Sequence, residues 1–216
     1  MSEPVWCRML RYASRLTGRE SLWARTDKRA IFRSSDSRVL GAVLTPMDVE
    51  IFLLMDMVCD DELKLPKLAQ TDLSFEAART RAREVSNHFR FGPDQFEKLR
   101  VILDVDIIQS SPGENPSLRY RLKLWPDFYF VVVSEDGHWY SSRFVRVPES
   151  PLPKIDSPLD IEPWSVSLGD IEALFRNDRC TDGFPPWEAY VFEDSSGLTY
   201  GAGFSHGLLQ DIERIE

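Results

Sequence analysis

Cysteine is scarce in this chain: Cys7, Cys59 and Cys180 are the only three among 216 residues. They are odd in number and far apart, and no CxxC or Cys/His spacing joins them. That pattern argues against a disulfide framework and against a zinc site. What remains is three small, partly buried thiols suited to a reducing compartment. Long apolar runs are also missing. The longest, Ile51 to Met55, stops at Asp56, well short of a membrane span. The N-terminus has no apolar stretch followed by a small-residue cleavage site, so no secretory signal is expected. There is no P-loop lysine motif. Gly197-Leu-Thr-Tyr-Gly-Ala-Gly is rich in glycine but leads into no βαβ unit, so a dinucleotide fingerprint is not expected.

What is present suits a folded globular protein. Hydrophobic residues make up 43% of the chain, with thirteen Phe and six Trp, which is ample core material. The net charge of −9 is unevenly spread. Residues 1–44 hold nine Lys/Arg against four Asp/Glu, whereas residues 148–216 hold four against fourteen. A basic front and an acidic back either attract each other or mark two partner surfaces.

Residues 5–17 plot as an amphipathic helix, with Arg8, Arg11, Arg15 and Arg19 along one face. The expected location is cytoplasmic. A mitochondrial transit peptide is the alternative if the source is a eukaryote, since such Arg-rich, acid-poor helices serve that role. After a mixed stretch with a short strand at Ala30–Arg33, Thr45 and Pro46 open a helix running to about Val58. Residues 60–73 read as a loop with one helical turn, interrupted by Pro66. Ser74 caps a helix from Phe75 to about Phe89, and a shorter one follows from Pro93 to about Leu103. Strands are expected over 105–109, Leu118–Trp125, Phe128–Ser134 and Trp139–Val147. Asp136-Gly137 joins the last two as a hairpin. Five prolines between residues 148 and 163 read as an extended linker and domain boundary. Beyond it, Ser167 caps a short helix to Phe175. A loop then leads to a hairpin of Glu188–Glu193 and Leu198–Phe204, and His206–Ile215 reads as a helical run. The chain thus divides into a basic front (1–44), a central part (45–147), the linker (148–163) and an acidic α/β piece (164–216). The expected class is α+β, with a helical N-terminal part, an antiparallel β-meander and that small acidic piece.

Two stretches carry a family resemblance. Val85-Ser-Asn-His-Phe-Arg-Phe-Gly-Pro-Asp-Gln-Phe-Glu-Lys-Leu looks like a helix, a tight turn and a recognition helix. Asp106-Ile-Ile-Gln-Ser-Ser-Pro-Gly-Glu-Asn-Pro-Ser-Leu-Arg-Tyr-Arg-Leu looks like two wing strands and their loop. Residues 45–125 therefore resemble a winged-helix domain. A second register, Lys67 to Ser74 followed by Phe75-Glu-Ala-Ala-Arg, also resembles a helix-turn-helix. The resemblance implies one helix in the major groove and the wing on the backbone. Lys98, Arg100, Arg119, Arg121 and Lys123 are then the candidate nucleic-acid contacts. The net negative charge of residues 45–110 opposes duplex binding. Winged helices also serve as protein-binding modules.

Catalytic motifs are incomplete. Gly203-Phe-Ser-His-Gly fits the G-x-S-x-G pattern that exposes a serine on a sharp turn, but no histidine follows it in the chain, as the hydrolase order requires. Trp125-Pro-Asp is similar to the acid loop of tyrosine phosphatases, yet no cysteine has an arginine six residues later. Asp48 with Glu62 and Lys64, or Asp104 with Asp106, are thin support for a metal centre. An enzyme would need His88, His138 or His206 to meet a carboxylate and a nucleophile in space. The acidic C-terminal part offers Trp164, Asp170, Glu172, Trp187 and Glu188 as a docking surface, where acids steer and aromatics anchor. The expectation is a non-enzymatic binding or regulatory protein without a cofactor, acting on a protein partner, with nucleic acid as a further partner. The alternatives are an acidic, immunity-type inhibitor of a basic partner, and a hydrolase or metal-dependent enzyme.

Overall fold

The computed structural model describes residues 43–90, 92–108 and 114–215. The helix expected over 5–17 and the strand at Ala30–Arg33 lie outside the described residues.

Among the described residues four helices come first: α1 (Pro46–Asp56), α2 (Asp61–Leu68), α3 (Phe75–Phe89) and α4 (Gln95–Leu103). Thr45 opens α1 with a reciprocal capping box. Its hydroxyl accepts from the Asp48 N–H, and the Asp48 carboxylate accepts from the Thr45 N–H at 2.7 Å. Arg81 of α3 grips the same carboxylate, donating from Nη2 to Oδ2 at 3.1 Å and from Nε to Oδ1. Burial alone would raise the Asp48 pKa, but the Arg81 and Thr45 hydrogen bonds outweigh it and hold it below the usual value. The segment expected to be mainly loop after α1 is the helix α2. Asp61 and Glu62 favour its first turn, and Pro66 sits inside it.

The helices cover one face of an antiparallel sheet, in the order β1 (Ile107–Ile108), β2 (Ser117–Arg121), β3 (Phe128–Glu135) and β4 (His138–Arg146). β3 shows why one face is covered. Phe128, Phe130, Val132 and Ser134 are buried, while the residues between them are partly exposed. β2 stops at Arg121, short of the expected Trp125. The buried Glu50 carboxylate of α1 turns the chain there, accepting from the Lys123 and Leu124 N–H groups and from the Tyr120 hydroxyl at 2.7 to 3.1 Å. Asp136 and Gly137 both take positive φ, the two-residue turn that matches strand twist.

The C-terminal part is α5 (Leu168–Leu174) followed by a second antiparallel sheet. Its order is β5 (Arg176–Phe184), β6 (Trp187–Glu193), β7 (Thr199–Ser205) and β8 (Leu208–Arg214). Two expectations fail here. The stretch read as a loop after α5 is the edge strand β5, whose ladder slips twice and which needs no apolar alternation because little of it is covered. The run read as helical after Ser205 is strand β8. His206 and Gly207 both have positive φ, so the chain reverses there instead of winding on.

Two apolar cores result. One lies between the helices and the first sheet. The other gathers Val166, Leu168, Ile171, Phe192 and Phe204. The Pro-rich stretch between the sheets is laid on the second core, with Ile161 buried in it. Leu208 of β8 belongs to the first core, so the β7–β8 turn reaches across from one core to the other. Among the described residues, no helix is long and apolar enough to cross a membrane.

Candidate functional site

The site is built where that turn meets the edge of the first sheet. β4 is an edge strand, and its Phe144 N–H donates to the His206 carbonyl at 2.7 Å. The Gly207 carbonyl accepts from the Leu168 N–H at 2.7 Å, which holds the turn from its other side. Added contacts tie the turn region to α1. Trp187 Nε1 donates to the Asp56 carbonyl at 3.2 Å, and the Val58 N–H donates to Ser205 Oγ at 3.1 Å.

The His206 ring, only 4% exposed, is thereby driven into the first core edge-on to Phe130, with centroids 6.0 Å apart. Its Nδ1 lies 2.8 Å from Ser142 Oγ on β4, and Ser142 is 5% exposed. Its Nε2 lies 3.4 Å from Asp56 Oδ2 at the end of α1, close enough for charge attraction but outside hydrogen-bond geometry. In the tautomer that puts the ring proton on Nε2, facing that carboxylate, Nδ1 accepts from the Ser142 hydroxyl. Asp56, His206 and Ser142 form a chain of carboxylate, imidazole and hydroxyl drawn from three elements. This meets the geometric condition that the sequence left open for His206.

The chain lies at the floor of a cleft of about 360 Å³. Its walls are Phe52 of α1, Ser86 and Phe89 of α3 with Arg90 just past its end, Trp139 to Ser142 of β4, and Pro185-Pro186. Tyr140 is the extra residue where β4 slips against β3, and it stands 66% exposed at the wall. A second hollow of about 450 Å³ shares Phe52, Asp56 and Ser86 with the first and runs on between α1, α2 and α3. Lys64, Arg79 and Arg83 line it, as do Asp61 and Cys59. Burial pushes the Cys59 thiol up to about 11, so it is neither a ready nucleophile nor a ready metal ligand.

The residues expected to dock a partner are mostly engaged inside the chain. Asp170 is buried, caps α5 with Ser167, and pairs with Arg146 at 3.0 Å. Glu188 is buried and lies 3.4 Å from Arg143. The indole N–H of Trp164 donates to Gln210 at 3.1 Å, its ring edge-on to Trp125, and Trp187 serves the Asp56 carbonyl. Of the five, only Glu172 is exposed. The physical reason is shared: Asp170, Glu188 and the two indoles hold the C-terminal part against the first sheet and the end of α1.

The residues expected to contact nucleic acid do not line the cleft. Lys98 pairs with Asp94 at 3.1 Å and Arg100 with Glu97 at 2.7 Å along α4. Arg119 lies over the Tyr129 ring, 5.3 Å from its centroid. Arg121 and Lys123 are exposed beside it. Among the described residues, no group of three or more His, Cys, Asp and Glu side chains is arranged to hold a metal ion. Compared with family models, curated proteins and solved structures, the chain matches none.

Proposed function

We propose that this chain is a binding protein acting through protein–protein contact, and that the partner's segment lies across these two hollows. The observation that carries this reading is the pair of adjoining hollows, which share Phe52, Asp56 and Ser86 and whose walls include the exposed Tyr140 and Pro185. Of the charged groups there, Lys64 pairs with Asp61 at 3.6 Å and Arg79 with Glu76 at 3.5 Å, and Arg83 lines the second hollow beside them. The fitting partner is an extended segment that carries an aromatic or apolar anchor and an acid to meet Arg83. That departs from the basic partner suggested by net charge, because Asp170 and Glu188 are neutralised internally.

Panning random displayed peptides on the full chain tests the reading. Enriched peptides should lose on the order of 30-fold in affinity on Tyr140→Ala, the loss expected of a central aromatic anchor. They should also weaken on Arg83→Glu. No enrichment, or peptides indifferent to both changes, would overturn it.

A second reading is favoured by one observation, the exposed grouping of Arg119, Arg121 and Lys123. Anisotropy with a random DNA duplex would show binding that weakens steeply with salt and is lost when all three become Glu. Absence of binding at low salt removes it.

A further inference from the structure

We infer that Ser142 is a nucleophile toward carboxylic esters, with His206 as general base and Asp56 as the positioning residue. Three observations converge. Ser142 Oγ lies 2.8 Å from the His206 Nδ1, the contact through which a base takes a hydroxyl proton on attack. The far ring nitrogen lies 3.4 Å from a carboxylate, where an imidazolium formed in the reaction is stabilised. Both Ser142 and His206 line a hollow large enough for a small acyl compound.

The strand register supplies a fourth feature. Val132 pairs with Ser142 and Phe130 with Phe144, so the N–H groups of Ser142 and Phe144 point to the same side of β4. The Phe144 N–H reaches off the sheet edge to His206. The Ser142 N–H therefore points off that edge too, and the nucleophile's own N–H is a recurrent oxyanion donor. Phe52, Phe89, Trp139 and Tyr140 line the hollow together with the polar Ser86, Arg90 and Gln95, so it suits a short apolar acyl group.

The chemistry balances with water alone. Ser142 Oγ attacks the ester carbonyl carbon as its proton passes to His206 Nδ1, and the carbonyl π pair moves onto oxygen. Collapse of that intermediate breaks the bond to the alkoxide, which leaves with the proton from His206. Water then adds to the acyl-serine, giving its proton to His206. The released Ser142 oxygen takes that proton back, and the carboxylic acid departs.

The test uses the purified full chain with p-nitrophenyl butyrate, and a fluorophosphonate probe read by peptide mass spectrometry. The expected result is a nitrophenolate burst of about one equivalent and a phosphonate adduct on Ser142. Ser142→Ala abolishes both, and His206→Gln lowers the rate on the order of 100-fold, the low end for loss of a general base. Asp56→Asn should lower kcat with little change in KM, and Asp56→Glu should recover part of it. Cys180→Ser, which removes an exposed thiol outside the cleft, leaves all of this unchanged. Circular dichroism and melting of Ser142→Ala establish that it stays folded. Hydrolysis or labelling that survives in Ser142→Ala overturns the inference, as does a wild-type chain that neither hydrolyses the ester nor takes the probe. Peptide binding by Ser142→Ala is read separately, so the two proposals fail independently.

Discussion

Arg146 lies at the end of β4 and holds three segments at once. Its Nε is 3.1 Å from both oxygens of Asp170 on α5. One terminal nitrogen donates to the Ser165 carbonyl at 2.6 Å and the other to the Pro151 carbonyl at 3.3 Å. The guanidinium also lies over the Phe128 ring at 4.7 Å. Both charged side chains are about nine-tenths buried. Arg146→Met keeps the apolar stem but strands the Asp170 carboxylate, whose remaining donor is the Ser167 N–H at 2.7 Å. Removing one partner of such a pair costs about 3–5 kcal/mol. With a urea m-value of about 2 kcal/mol/M, the midpoint falls by roughly 1.5–2.5 M. Urea titration followed by tryptophan fluorescence measures this, since Trp125 and Trp164 lie in contact at the same junction. Combining it with Asp170→Asn isolates the pair: the double variant should lose clearly less than the sum of the two single losses. A loss below about 1 kcal/mol, which is what an exposed pair gives, would refute the reasoning.

Other expectations can be checked as directly. Gly137→Ala should destabilise by roughly 1–3 kcal/mol in the same titration, because φ there is +79° and an added Cβ would run into the Pro93 carbonyl oxygen. Thr45→Ala removes the α1 cap and should cost about 1 kcal/mol. Iodoacetamide at mildly alkaline pH should modify exposed Cys180 well before Cys59, whose thiol is held up to about 11, and peptide mass spectrometry would show the order. Burial first, and then the neighbouring Glu50 carboxylate, raise the Tyr120 pKa above its ordinary 10. The folded state thus keeps a proton that the unfolded state releases, so this contribution to stability is full below pH 10 and is lost as pH rises beyond it. Melting temperatures of Tyr120→Phe should accordingly fall less steeply above pH 10 than those of the parent chain.

What could be read from the sequence was local. The Thr45 and Ser167 caps and the Asp136-Gly137 hairpin each lie within a few residues, so their chemistry is visible in the string. β5 was invisible because an edge strand needs little apolar patterning, and β8 because its residues suit a helix about as well as a strand. The Asp56–His206–Ser142 chain was hidden for another reason. Ser142 and His206 are 64 positions apart, on units separated by a proline-rich stretch. One signal did point near it. The Gly203–Gly207 motif marks a sharp turn, and a sharp turn is what the chain makes there. The motif draws the eye to Ser205, which is spent on the Val58 N–H, while the imidazole beside it meets a serine on another sheet.

The turn at His206-Gly207 also has a meaning in time. It occupies the open edge of β4 at Phe144, yet it is made long after that strand. At the usual elongation speed of about 5–20 residues per second, the roughly 60 intervening residues take some 3–12 seconds. During that interval the nascent first sheet shows an unpaired edge, and the notch beside Phe130 has no histidine to fill it. An exposed edge of this kind is a template for pairing with another chain.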